Sequence, residues 1–233
     1  MQGRNCIVVM AREPLPGSTK TRLAAALGDR AAAALYEAFL LDTLATCGCV
    51  DARLLVSYAP DSPGAARYFR DIVPEAMLVA QPDAPFGARL ASAMQSAFDN
   101  GYERVAIIGS DIPHMESVWL DDAFASLDDH DVALGPTQDG GYYLLALRTP
   151  EPRLFDDIEW SSGRELGQTR ICAGQLGLRV KDVDRTFDID NIADLSALQE
   201  LIRAKGADAC PRTAAAFARL NLTESSSVET PVR

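Results

Sequence analysis

The side chains able to do chemistry are concentrated in a few short segments. The first reads Ala11-Arg12-Glu13-Pro14-Leu15-Pro16-Gly17-Ser18-Thr19-Lys20-Thr21-Arg22-Leu23 and sets three cations against one acid, in a chain whose net charge is −11. Two prolines and Gly17 shape a backbone that can approach an anion. Lys20 and Arg22 would neutralise that anion, aided by amides at the start of the helix that follows. A diphosphate is the natural guest. The plainer alternative is a basic surface loop capping that helix. A Walker A loop is excluded, because that motif needs glycine immediately before its lysine and position 19 is threonine.

The second segment, Val105-Ala106-Ile107-Ile108-Gly109-Ser110-Asp111-Ile112-Pro113, is an apolar strand running into a carboxylate. At the carboxyl edge of a sheet, Asp111 could bridge a hard divalent cation to a diphosphate. It could equally cap the helix that starts near Glu116 or stabilise the Pro113 turn. The third, Leu134-Gly135-Pro136-Thr137-Gln138-Asp139-Gly140-Gly141-Tyr142-Tyr143, pairs glycines behind an acid and ahead of tyrosines. That suits close approach to a ligand in a sugar or base pocket, or a simple Asp-Gly hairpin. Further on, Asp182, Asp184, Asp188 and Asp190 crowd one span, and most are expected to be solvated. Asp190 could complete a metal site with Asp111, or cap the next helix. Trp160-Ser161-Ser162-Gly163-Arg164 offers an indole for stacking or for packing, and Ser161 or Ser162 as a helix cap.

These loops need a frame. Asn5 to Ala11, Arg53 to Tyr58, Met77 to Ala80, Arg104 to Gly109, Asp131 to Gly135, Gly141 to Arg148 and Leu178 to Val183 read as strands. Most are continuous apolar runs, as expected of parallel strands covered on both faces. Ala31 to Leu44, Phe86 to Phe98 and Arg164 to Leu176 read as helices between them, and Ile192 to Ala204 and Asp208 to Leu220 as terminal helices. The alternation predicts βαβ units with right-handed crossovers in a three-layer α/β/α architecture, its sheet mixed but mostly parallel. Ligands of such sheets sit beyond the carboxyl ends of the strands, where the segments above fall. No repeat or long linker divides the chain. One domain is expected over 1–220, its N-terminal half binding a nucleotide and its C-terminal half facing an acceptor, with a flexible tail at 221–233.

Composition narrows the chemistry. The chain has 233 residues, 48% of them hydrophobic, and 33 acidic against 22 basic residues. No apolar run reaches the roughly 18 residues of a membrane span, and the acidic field disfavours extended nucleic-acid binding. Five cysteines without a CxxC pair fit free thiols in a reducing cytoplasm. Two histidines, His114 and His130, exclude multi-histidine zinc sites and leave little material for a Ser-His-Asp triad.

Taken together, Pro14-x-Pro16-Gly17-x-x-Lys20-Thr21-Arg22-Leu23, Gly109-Ser110-Asp111-x-Pro113, Gly135-Pro136-x-x-Asp139-Gly140-Gly141-Tyr142-Tyr143-Leu144, Trp160-Ser161 and Asp188-Ile189-Asp190 occur in an order that resembles the bacterial DUF2064 family. Its members are described as radical-SAM/selenodomain-associated glycosyltransferase-like proteins. The resemblance covers roughly Cys6 to Leu201. It implies the GT-A fold of nucleotide-diphospho-sugar transferases and small nucleotidyltransferases. It also implies nucleotide and phosphate contacts from Ala11, Arg12, Pro16, Gly17, Lys20, Arg22, Gln81 and Arg89. Mg²⁺ or Mn²⁺ would lie on Asp111 and Asp190, and Gly140, Gly141, Tyr142 and Trp160 would form a sugar or acceptor pocket. Two departures stand out: His114 replaces an expected acid, and the run from Gln81 to Gly87 lacks one usual glycine.

The leading functional expectation is a metal-dependent glycosyltransferase acting on a nucleotide-diphosphate sugar. In it Lys20 stabilises the leaving diphosphate and Asp139 serves as base toward the acceptor. One alternative is a nucleotidyltransferase that releases pyrophosphate from an NTP. The other is a nucleotide-sugar binder without turnover.

Overall fold

The structure, a computed structural model, describes residues 4–222; the expected tail lies, from residue 223 on, outside them. In chain order the elements are β1 (Asn5–Arg12), α1 (Thr21–Leu27), α2 (Asp29–Cys47), β2 (Arg53–Ala59), α3 (Pro63–Ile72), β3 (Met77–Ala80), α4 (Phe86–Asp99) and β4 (Arg104–Ile108). Then follow α5 (Ser117–Ser126), β5 (Val132–Pro136), β6 (Tyr142–Leu147), α6 (Glu165–Gln175), β7 (Val180–Asp182), α7 (Ile192–Lys205) and α8 (Pro211–Arg219).

The strands form one sheet in the order β3-β2-β1-β4-β6-β5-β7. Strands β1 to β4 are mutually parallel, β6 runs antiparallel to both β4 and β5, and β7 is parallel to β5. This is the mixed, mostly parallel sheet expected. The apolar runs explain it, because successive side chains of a strand point to opposite faces and both faces are covered. Ile7, Val9, Val56 and Ile108 pack with Leu40, Phe69 and Leu120 on one side. Cys6, Val8, Leu55, Val105 and Ile107 pack with Leu90, Met94 and Leu166 on the other. A third cluster joins Leu23, Leu35, Phe39, Leu195, Leu198 and Phe217, and clamps α1, α2, α7 and α8 together.

The antiparallel β6 matters for function. It starts where β4 ends, with Leu144 opposite Ile108. The glycine-rich turn before Tyr142 therefore reaches the same sheet edge as the carboxyl ends of β1 and β4. The segment before α7 is tied there as well, by a hydrogen bond from Ile189 N to Asp111 O at 3.1 Å.

The last predicted helix divides. A short 3₁₀ turn (Ala207–Ala209) precedes α8, since Pro211 cannot donate into a continuous helix and Cys210 before it is extended. The buried Asp42 carboxylate takes over the cap, accepting from Arg212 N at 3.1 Å and Thr213 N at 2.8 Å. Helix α3 was not anticipated, although Ser62 caps it through Ala65 N and Pro63 opens it. Among the described residues no helix is long and apolar enough to cross a membrane.

Candidate functional site

A continuous cleft runs along this sheet edge in two lobes. The first, a cavity of about 550 Å³, is lined by Ala11 and Arg12 of β1, residues 18–22, Tyr36, Gln81, Phe86, Arg89, Gly109 to Asp111, Ser161 and Asp190. The second, about 480 Å³, adds Thr137, Asp139, Gly141, Tyr142, Trp160, Glu165 and Asp188. Arg22, Phe86, Asp111, Ser161 and Asp190 border both.

Lys20 lines the first lobe, next to Asp111 and Asp190, which border both. It caps α1 in the left-handed conformation (φ 48°, ψ 49°), a geometry rare for a side chain of its length. That turn carries its ammonium inward, where the side chain is only 6% exposed. There Nζ lies 3.0 Å from Asp111 Oδ2 and 2.9 Å from Asp190 Oδ1, while Arg22 Nη1 approaches Asp190 Oδ2 at 3.4 Å. Burial works against the charge on Lys20, but the two carboxylates outweigh it and hold its pKa above the ordinary lysine value. Burial likewise opposes ionisation of Asp190, and Lys20, followed by Arg22, more than offsets it and lowers that pKa. The capping alternative for Asp190 is not realised, because Asn191 caps α7 in a reciprocal box with Asp194.

The same geometry bears on a divalent cation. Oxygens of Asp111 and Asp190 converge on the Lys20 ammonium, which a divalent cation held by both would have to displace, and the buried Asp111 Oδ1 has no hydrogen-bond partner among the described residues. Hard oxygen donors of this kind fit Mg²⁺ or Mn²⁺. No group of three or more His, Cys, Asp or Glu among the described residues could hold such an ion. Two carboxylates fit an ion that completes its shell with phosphate oxygens and water, the usual habit of Mg²⁺.

Elsewhere along the first lobe the polar groups interlock. Tyr36, on α2, accepts from Arg12 N at 2.9 Å and shares a 2.9 Å hydrogen bond with Ser110 Oγ, which reaches Met10 O at 3.2 Å. Gln81 Nε2 donates to Ser57 O (2.7 Å) and Ala11 O (3.3 Å), and its Oε1 accepts from Arg89 Nη1 at 3.1 Å. Tyr36 was missed in the sequence, where it sits inside an apolar helical stretch. A buried phenol needs a partner, and that was the one available signal.

The second lobe is acidic and aromatic. Phe86 and Tyr142 meet Trp160 edge to face, with ring centroids 5.0 and 6.2 Å away. Asp139 Oδ1 accepts from the Thr137 hydroxyl and, at 3.1 Å, from Gly141 N, which locks the turn. Asp188 is raised to about 6, first by burial and then by Asp190 and Asp139. The loops on either side of the lobe fit through glycine. A Cβ on Gly140 (φ +96°) would lie 2.0 Å from the Gly163 carbonyl oxygen, and one on Gly87 2.5 Å from Phe155 O. Neither serine caps α6. Ser162 instead receives Arg164 N on its hydroxyl and gives its own N–H to Glu165.

Of the residues singled out in the sequence, Ala11, Arg12, Lys20, Arg22, Gln81, Arg89, Asp111 and Asp190 line the first lobe, and Asp139, Gly141, Tyr142 and Trp160 the second. Pro16, Gly17 and Gly140 line neither, shaping the loops from behind. His114 is buried, 2.9 Å from the Thr186 hydroxyl and stacked on Phe187 at 4.5 Å, behind Asp188.

Comparison with known proteins agrees with this frame. Over 193 residues the chain is 31% identical to a 3-phospho-D-glycerate guanylyltransferase from Phenylobacterium zucineum (strain HLK1), covering 75% of this chain and 84% of that one. A crystal structure from Desulfovibrio desulfuricans G20, described as a nucleotide-diphospho-sugar transferase, is 32% identical with a TM-score of 0.89, covering 96% of this chain and 97% of the other. A cytidylyltransferase from Leptospira borgpetersenii serovar Hardjo-bovis (strain JB197) shares the fold alone, at 13% identity and a TM-score of 0.56 over 99% of both chains. The family profile described as "Uncharacterized protein conserved in bacteria (DUF2064)" matches residues 40–162. With that match over more than half its length, and a fold shared with the Desulfovibrio structure over nearly all of both chains, the chain belongs to the DUF2064 family.

Proposed function

We propose that the protein is an enzyme transferring a sugar from a nucleotide-diphosphate sugar, with the nucleoside diphosphate in the first lobe and the sugar and its acceptor in the second. The observation carrying this reading is the opposite chemistry of two joined lobes. The first offers Arg12, Lys20, Arg22 and Arg89 to phosphates. The second offers Asp139, Asp188 and the Tyr142–Trp160 rings, which suit the hydroxyls and apolar face of a neutral sugar and repel an anionic acceptor. The N-terminal half would thus bind the nucleotide and the C-terminal half face the acceptor.

Lys20 and Arg22 would hold the diphosphate as it leaves, placing fixed positive charge where negative charge develops. Asp139, its Oδ1 already engaged by Thr137 and Gly141, would use Oδ2 to take the proton of an acceptor hydroxyl. A divalent ion held by Asp111 and Asp190 would supply further neutralisation of the diphosphate.

A second reading, nucleotidyl transfer from an NTP, is favoured by the guanylyltransferase relative. Both are tested by incubating the protein and Mg²⁺ or Mn²⁺ with nucleotide sugars and NTPs while following nucleoside diphosphate and pyrophosphate. Release of diphosphate from a nucleotide sugar supports the first reading. Pyrophosphate from an NTP replaces it with the second, and ligand binding without either product identifies a binder.

A further inference from the structure

The Asp111–Asp190 pair already holds a cation of the protein's own. Of its four carboxylate oxygens, Asp111 Oδ2 and Asp190 Oδ1 hold the Lys20 ammonium at 3.0 and 2.9 Å, and Asp190 Oδ2 faces Arg22 Nη1 at 3.4 Å. The fourth, Asp111 Oδ1, is buried and makes no hydrogen bond among the described residues. Two carboxylates therefore meet two cations of the chain, and their charge is balanced. This inference rests on the reading above, in which the pair holds a divalent ion and the first lobe a diphosphate.

That balance works against a free metal ion. Mg²⁺ dehydrates reluctantly and asks for several oxygens in near-octahedral array, which one unpaired carboxylate oxygen does not supply. Entry on both carboxylates requires the ammonium to leave. The Lys20 side chain is only 6% exposed, and a buried charge stripped of its partners is strongly unfavourable, so it must find another anion. Asp111 and Asp190 are the only carboxylates among the described residues lining the first lobe. The anion must therefore come from the ligand, and Arg12 and Arg89 in the same lobe draw one of high charge. Lysine suits such an exchange, being a compact charge with three donors on a flexible stem. We propose that Lys20 keeps the Asp111–Asp190 pair closed to free divalent cations and releases it when the oxygens of a diphosphate take the ammonium. Metal and diphosphate then bind as a coupled pair, each strengthening the other by the same factor.

Water-proton relaxation by Mn²⁺, enhanced far more when the ion sits on a protein than on a small chelator, tests this on the full chain. Mn²⁺ alone should bind the unaltered protein weakly, and inorganic pyrophosphate should tighten it by about tenfold or more, a usual coupling between sites. Lys20→Met should bind Mn²⁺ alone about tenfold or more tightly than the unaltered protein, on carboxylates freed of their ammonium. Adding Asp190→Asn to Lys20→Met should abolish that gain. Unfolding cannot mimic a gain of affinity, and Lys20→Gln provides the same comparison if Lys20→Met fails to fold. Equal Mn²⁺ affinity of the unaltered protein and Lys20→Met overturns the inference, as does a gain that survives Asp190→Asn. Pyrophosphate that binds without changing the Mn²⁺ affinity of the unaltered protein overturns it too. Failure of pyrophosphate and every nucleotide to bind overturns the nucleotide reading instead, and the metal-alone comparison still decides whether Lys20 closes the pair.

Discussion

The two lobes of the cleft are held open by different physics. The first is built from charge: an ammonium between two carboxylates, an adjacent guanidinium, and the further arginines Arg12 and Arg89. The second is built from backbone contact and rings, with Gly140 against Gly163, a turn locked by Asp139, and Trp160 between Phe86 and Tyr142. A charge-built lobe is set by where a few long side chains end. It changes greatly with one substitution and hardly at all in shape. A contact-built lobe tolerates changes of charge and fails when a single methyl group is added.

The largest expected effect breaks the first lobe at its centre. Lys20→Met leaves Asp111 and Asp190 facing each other without their shared cation, and removes the charge proposed to meet the leaving diphosphate. Turnover of the productive substrate should fall on the order of 10²-fold or more, as when one fixed donor is lost from an oxyanion site. The shape of the second lobe should persist, checked by unchanged near-ultraviolet circular dichroism from Trp160. A fall below tenfold would show that the first lobe does not depend on this charge.

Gly140→Ala attacks the second lobe instead. Its Cβ would collide with the Gly163 carbonyl at a backbone angle that disfavours any side chain. A destabilisation of roughly 2–4 kcal/mol is expected from overpacking and strain together, read from the denaturation midpoint. Nucleoside diphosphate affinity, measured well below that midpoint, should stay within about threefold if the lobes are independent.

An effect that is small near neutral pH and grows only on acidification sharpens the comparison further. Burial pushes His114 down from 6.5 to about 4, with Lys205 adding to the shift and Glu116 opposing it. The unfolded chain therefore takes up a proton near pH 6.5 that the native imidazole refuses until about pH 4. The contribution of this group is fully present above pH 6.5 and is lost as pH falls toward 4, by up to about 3 kcal/mol. His114→Asn should flatten that part of the stability–pH curve. An unchanged curve would mean that His114 is protonated within its pocket.

Much of the frame was legible in the residues. The runs from Cys6, Leu54 and Val105 could only be strands covered on both faces, and their order with the intervening helices implied the sheet. Lys20, Asp111 and Asp190 stood out by type against their surroundings. Less legible was what each local signal meant. Asp190 was as good a cap as a ligand until Asn191 took the cap, and Asp139 belonged as much to a turn as to a site, and the structure shows that it locks one. Tyr36 gave no pattern, since a single phenol in an apolar helix differs little from its neighbours.

The sequence by itself determined the element order, the sheet edge at which the chemistry gathers and the residue types available there, because periodicity and strand-end position are local properties of a chain. Only the tertiary structure decided which of those residues face one another. Lys20 meets Asp190 across 170 positions of sequence, and Gln81 turns its amide away to carbonyls of two strands. Such pairings depend on how β1, β4, α4 and the segment before α7 pack, and packing is settled by burial summed over the whole core rather than by any motif.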